Sequence, residues 1–235
     1  MPVERFAEIL AELKPRFIHH SEVKRLLQLL LLERGCNIDK TYFDVPRLRT
    51  STSDSYLTSG IAYAFHPHRD TWYSAPMCQL NLWLPVYAVP ASSGMVIYPR
   101  YWKEPVRNSS ATYNYARWNQ ESRYAATQHL HSDTRVQPKS EQDFDLAAGL
   151  IVNGAPGSLT IFSTAQLHAS TANMSGERRF SIDFRTVHLD DVVAANGAAN
   201  IDSQATGTTM GDYLRGSDLE HIPGQWIQHY DTDES

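Results

Sequence analysis

Cysteine is scarce in this chain and positive charge is not in surplus; each shortage removes a class of function. The two cysteines among 235 residues, Cys36 and Cys78, form neither a disulfide framework nor a Cys-x-x-Cys metal pair. A thiolate metal site is therefore excluded, and a reducing compartment is expected. Lys and Arg total 21 against 26 Asp and Glu, a net charge of -5. With no basic stripe, a nucleic-acid partner is not expected. Long apolar runs are missing too. The stretch from Leu26 to Leu32 falls far short of the roughly 20 residues that span a bilayer, so no membrane partner is expected. Residues 1–20 lack the basic start, apolar centre and small-residue cleavage site of a signal peptide, which makes a cytoplasmic location the expectation.

The composition that remains is that of a globular protein, 42% hydrophobic and 20% charged, with 12 Gly and 12 Pro. Its length suits one domain over 1–235, since sandwiches and barrels often reach this size as a unit. The first third reads as helical. Val3, Phe6, Ile9, Leu10 and Leu13 recur at helical spacing, and Pro15 is expected to stop the pattern. Ser21 is placed to cap a second helix through Arg34, with Gly35 to end it. The leucine run in this helix is apolar on most sides, which predicts burial between a sheet and the first helix.

From Tyr42 onward, short extended segments alternate with Ser, Gly, Pro and Asn. Strands are expected near Tyr42–Leu48, Ile61–His66, Gln79–Tyr87, Met95–Tyr98, Ser158–Phe162, Gln166–Ala172 and Arg179–His188. The polar, aromatic stretch 103–155 reads as a long lid insertion containing a helix near Asn119–His129. Residues 189–235 read as loops with a short helix near Thr209–Arg215. Helices over 1–36 followed by mostly short strands give an α+β fold with a sandwich or barrel core.

His68 and Asp70 are two apart in the run His66-Pro67-His68-Arg69-Asp70-Thr71-Trp72. In extended chain that spacing puts both side chains on one face. A distant His168 would complete two imidazoles and a carboxylate around one metal, leaving the opposite positions open, as in non-haem Fe(II) oxygenases. His66 and His68 have the same spacing, so a His-x-His pair joined by His168 stays open as a cupin-like alternative.

Arg179 and Ser181 share a strand face, with Phe180, Ile182 and Phe184 on the other. Arg179 follows His168 by eleven positions. Its planar fork suits a carboxylate, and Ser170, on the face of His168, can add a hydroxyl. The same pattern fits a half-buried strand with a solvated face. Gln79 and Asn81 alternate with Cys78, Leu80 and Leu82, which places them to meet the near carboxylate of an oxo acid or simply solvent. Trp72, Tyr73, Arg100, Trp102 and Trp118 are candidates to line a substrate pocket, and core or rim packing explains each equally. Arg69 and Arg100 hint at an anionic or zwitterionic metabolite, although a solvated surface arginine is the commoner case.

These motifs together resemble the phytanoyl-CoA dioxygenase-like branch of the Fe(II)/2-oxoglutarate dioxygenases. The resemblance covers about Tyr42 to His188. It lies in His68-Arg69-Asp70 with Trp72-Tyr73, in Ser93-Gly94-Met95 leading to Pro99-Arg100-Tyr101-Trp102, in Gly157-Ser158-Leu159 leading to His168-Ala169-Ser170, and in Asn173 with Arg178-Arg179-Phe180-Ser181. It implies a double-stranded β-helix (jelly-roll) core with N-terminal helices packed on one sheet. It also implies Fe(II) held by His68, Asp70 and His168, with 2-oxoglutarate and O2 as co-substrates and succinate and CO2 as products. Arg179 and Ser170 would hold the distal carboxylate of 2-oxoglutarate.

Two departures from the family pattern keep the substrate open. The segment before His68 is short, and the chain reads Met-Val-Ile-Tyr-Pro-Arg-Tyr-Trp after Gly94 where relatives generally carry Pro-Gly-Ser-His. Asp70 stands where halogenating relatives have a small residue, which favours hydroxylation. The expectation is an oxygenase acting on a small molecule. A jelly-roll protein that binds without turnover is the second reading. Oligomeric state and the oxidised carbon are not legible.

Overall fold

A computed structural model of the chain describes residues 3–53, 66–121, 137–145 and 147–230. Two helices open it, α1 (Val3–His19) and α2 (Ser21–Glu33). Contrary to expectation, α1 runs through Pro15. Proline removes an N–H and crowds the preceding turn, and an exposed position near the helix end lets water take the freed carbonyl. The cap of α2 is His20 rather than Ser21: its ring Nδ1 accepts from Glu22 N at 3.2 Å. Gly35, at φ +78°, follows the end of α2.

Leu27 and Leu31 pack on Phe43, Leu82 and Phe184, while Leu26, Leu29 and Leu32 are exposed. The leucine run is thus buried along one stripe. Spacing by four places Leu27 and Leu31 on a single face, and Leu30 packs at its edge.

The larger sheet contains β1 (Thr41–Phe43), β2 (Arg47–Ser51), β3 (Leu80–Pro85), β6 (Thr160–Ser163), β8 (Arg179–His188) and β9 (Leu214–Arg215), in the order β6-β3-β8-β1-β9, with β2 also on β8. The smaller sheet is β5 (Leu150–Val152), β4 (Met95–Ile97) and β7 (His168–Ser170). Every pairing between these strands is antiparallel. Trp83 of the larger sheet packs with Met95, Ile97 and Val152 of the smaller, so the sheets share a core.

The strand expected over Tyr42–Leu48 is two strands. Between them the Asp44 carboxylate replaces a backbone acceptor, taking Arg185 N at 2.7 Å, and Pro46 has no N–H to donate. The strand expected at Ile61–His66 lies outside the described residues apart from His66. Of the helix expected over Asn119–His129, the described part belongs to α3 (Tyr115–Glu121). Leu150–Val152, read as lid, is a strand on β4; three apolar residues after Gly149 are too few to show a period in sequence. Near Thr209–Arg215 there is a single 3-10 turn, Met210–Asp212, followed by β9, which pairs with β1. Two more short helices, α4 (Leu189–Val193) and α5 (Gly224–Ile227), follow β8 and β9 in the chain. No helix among the described residues is long and apolar enough to cross a membrane.

β8 organises the interior. Phe184 turns outward to α2, so by the period of two Arg179, Ser181, Asp183 and Arg185 share the inner face. Their cross-strand partners include Asn81 for Arg185 and Arg49 for Ser181. The core of this fold therefore carries a file of charge.

Candidate metal centre

His68 and His168 are joined by a two-way backbone bridge, His68 N to His168 O at 2.9 Å and His168 N to His68 O at 3.0 Å. That bridge fastens the His68–Asp70 segment to the smaller sheet and sets the imidazole rings 4.3 Å apart. Arg69 is extended (φ -110°, ψ 144°), and a 3-10 turn begins at Asp70. The alternation needed to bring His68 and Asp70 to one side therefore spans two residues rather than a full strand. His68, Asp70 and His168 are buried, and they offer ligand atoms all within 4.8 Å of one another. His68 Nε2 lies 3.4 Å from Asp70 Oδ1, and His168 Nε2 lies 3.9 Å from the same oxygen.

The ring protons point away from this meeting point. Nδ1 of His68 meets the carbonyl of His66 at 2.8 Å, and Nδ1 of His168 meets that of Gln166 at 2.9 Å. A carbonyl only accepts, so each Nδ1 carries the proton, and in the neutral ring Nε2 presents a lone pair. Burial, with His68 nearby, pulls His168 down to about 4, so its ring is neutral at pH 7. Burial pushes Asp70 up, but contact with His68 and His168 outweighs it and the carboxyl sits at about 2. Two ring nitrogens and a carboxylate thus converge on one point. A divalent cation satisfies such a set, and the backbone carbonyls behind the rings are the outer partners that fix a ligating histidine.

His66 turns elsewhere, its Nε2 meeting Pro138 O at 3.0 Å, and it is not part of the cluster. Gln79 Nε2 donates to Asp70 Oδ2 at 3.3 Å and to Asn81 Oδ1 at 2.8 Å, while its Oε1 accepts from Tyr213 O–H at 2.6 Å. Tyr73 lies edge-on to His68 at 5.4 Å and Phe162 to His168 at 4.8 Å.

Further along the inner face, Arg179 donates to Ser93 O at 2.9 Å and Gly94 O at 3.3 Å. Gly94 is required there, because a Cβ would stand 2.5 Å from Val152 O. Arg179 Nε, Ser181 Oγ and Asn81 Nδ2 are buried without a hydrogen-bond partner. Burial lowers Arg179 to about 10, with Asp183 opposing and Arg49 adding to the pull, so it stays cationic at neutral pH. Ser170 lies two residues beyond His168, opposite Met95.

The remaining candidates are dispersed. Trp72 is wholly buried in a cluster with Val96, Tyr98, Tyr101, Val106 and Leu167, its N–H held by Asp202 at 2.8 Å. Arg100 pairs with Glu104 at the surface, and Trp102 is exposed. Trp118 stacks on Tyr115. Arg69, read as a hint of an anionic ligand, is buried and structural. It donates to Asp202 at 2.9 Å and to the carbonyls of Ala165, Tyr101 and Glu104.

Sequence reasoning missed Asp202, which also accepts Val106 N, and nothing local marks it. It missed Arg185 as well, although the alternation Arg179, Ser181, Asp183, Arg185 was there to be continued.

No family model matches the chain, and no curated protein matches it. Among solved structures it is similar to EvdO2 from Micromonospora carbonacea var. aurantiaca, at 12% identity and TM-score 0.46, over 90% of this chain and 68% of that one. The same protein complexed with 2-oxoglutarate matches at 13% identity and TM-score 0.46, over 74% and 62%. The non-heme alpha ketoglutarate dependent epimerase SnoN from nogalamycin biosynthesis matches at 14% identity and TM-score 0.40, over 74% and 55%. The chain thus spans between 55% and 68% of these proteins. At this distance, the assignment of chemistry rests on the chain's own side chains.

Proposed function

We propose that this chain is an Fe(II)- and 2-oxoglutarate-dependent oxygenase on a jelly-roll core, oxidising a C–H bond of a small, polar metabolite or natural-product intermediate. One observation carries the reading: two imidazoles and a carboxylate meet in a buried cluster, and on the inner face of β8 the buried Arg179 Nε and Ser181 Oγ have no partner. The first set suits a divalent cation and the second a carboxylate.

His68, Asp70 and His168 would hold the metal, and two imidazoles with one carboxylate suit Fe(II) with about three positions left open. Arg179, with Ser181 and Ser170, would hold the distal carboxylate of 2-oxoglutarate. Asn81 and Gln79 stand beside Asp70, toward the near end of the oxo acid. Arg179 grips Gly94 O, to which Thr171 N also donates at 3.0 Å. Thr171 is three residues past His168 in the chain, so Gly94 ties Arg179 to the segment that carries this ligand. When bound, the iron and oxo acid would supply the oxidising power with O2, the oxo acid ending as succinate and CO2.

The protein's share is binding, orientation and exclusion of water. No side chain is needed as a general base. Asp70 supplies the carboxylate ligand, which supports hydroxylation over halogenation. Tyr73 and Phe162 wall the two imidazoles. The reading is tested by succinate release from 2-oxoglutarate in air with Fe(II). Succinate from the native protein, abolished in Asp70→Ala, is expected. Equal release by the variant rejects the assignment, and none from the native protein favours a binding module.

A further inference from the structure

We infer that Arg185 is a positioning residue that holds Asp70 to ligation through one oxygen, lowering metal affinity while keeping a coordination position open for the oxo acid. The inference rests on the metal-centre reading above.

The two oxygens of Asp70 face different company. Oδ1 faces the imidazoles. Oδ2 faces Gln79 Nε2 at 3.3 Å and Arg185 Nε at 3.8 Å. Neither of these partners is free to follow a rotating carboxylate. Arg185 is fixed through its backbone N to Asp44 Oδ1 at 2.7 Å and through its guanidinium to Asp44 Oδ2 at 3.1 Å. Asp183 Oδ2 stands 3.8 Å from its third nitrogen. Asp44 is itself paired with Arg47, and Gln79 is oriented by Tyr213. Turning Asp70 to offer both oxygens would break its contacts with two anchored donors.

A carboxylate binds a metal through one oxygen or two. Two imidazoles and one oxygen fill three of six positions, leaving two for a chelating oxo acid and one for O2. A second Asp70 oxygen would take one of those. Arg185 also bears a positive charge just behind the ligand, and like charges repel. Its removal should therefore strengthen metal binding and weaken oxo-acid binding, a divergence that mere structural support does not produce.

The test is anaerobic titration of Co(II), then of 2-oxoglutarate onto the Co(II) protein, with calorimetry and the Co(II) absorption spectrum as readouts. In Arg185→Met, Co(II) is expected to bind about tenfold tighter and 2-oxoglutarate about tenfold weaker, the scale on which outer partners act, with an altered Co(II) spectrum. Arg185→Lys should stay close to the native protein. Gln79→Met removes the other donor to Oδ2 and should shift both affinities in the same directions by less; it carries the test if Arg185→Met does not fold. Parallel weakening of both affinities, or no change in either, overturns the inference. A native protein that binds no Co(II) overturns the metal-centre reading itself, and a native protein that binds Co(II) but no oxo acid overturns the co-substrate reading.

Discussion

The two ends of the inner face of β8 hold the same side chain in opposite states. At one end, Arg185 is surrounded by Asp44, Asp183 and Asp70. At the other, Arg179 has two backbone carbonyls and a buried Nε with nothing to bond, beside the equally unpartnered hydroxyl of Ser181. A buried polar group left unsatisfied costs stability, so an open donor is where a bound acceptor would gain most. Saturation therefore separates the two ends of this file, and under the proposed function the open end is the one that meets the oxo acid.

The contrast breaks most sharply at the saturated end. Asp44→Ala strips Arg185 and Arg47 of a shared partner, and removing one member of a buried pair costs about 3–5 kcal/mol. Denaturant unfolding should register that loss whether or not metal or oxo acid is present. A variant as stable as the native protein would mean that the Asp44–Arg185 pair is not part of the frame.

Arg179→Ala should do the reverse. Loss of a charged anchor weakens 2-oxoglutarate by about 2–5 kcal/mol, read as a raised KM or Kd. Fold stability should change by less than about 1 kcal/mol, because no buried carboxylate is left stranded. An unchanged oxo-acid requirement would move the anchor elsewhere. Arg178 is poorly placed for that role, exposed and stacked over Phe6 at 4.5 Å.

The smallest expected effect is on pH. His168 is lowered from 6.5 to about 4 chiefly by burial, so between those values the unfolded chain binds a proton that the folded chain does not. Stability then rises with pH across that window. The melting temperature of the metal-free protein should fall as pH drops from 6.5 toward 4, and His168→Asn should flatten the slope. A slope unaltered by the substitution would place the titration on another group.

What could be read from sequence follows how far each residue's role is local. His68, Asp70, Arg179 and Ser181 were legible because a period of two assigns faces without knowledge of the partner. His168 was legible through its interval to Arg179. The inner file stopped at Ser181 in the sequence reading, since nothing in sequence says that Asp183 and Arg185 meet Arg49 and Asp44, more than a hundred residues upstream. Arg69 looked like a surface charge because its counter-ion, Asp202, is 133 positions away. Exposure of half the leucine run could not be foreseen either, because composition does not say how many sides of a helix a sheet will cover. Local pattern gave faces, and tertiary distance decided which charges are satisfied.

The most direct measurement is anaerobic addition of 2-oxoglutarate to the Fe(II)-loaded protein, followed by visible absorption. A weak charge-transfer band that saturates with the oxo acid, and that requires far more of it in Arg179→Ala, is the predicted result. Tight Fe(II) binding with no band at any oxo-acid concentration would contradict the account, leaving a metal site with no co-substrate beside it.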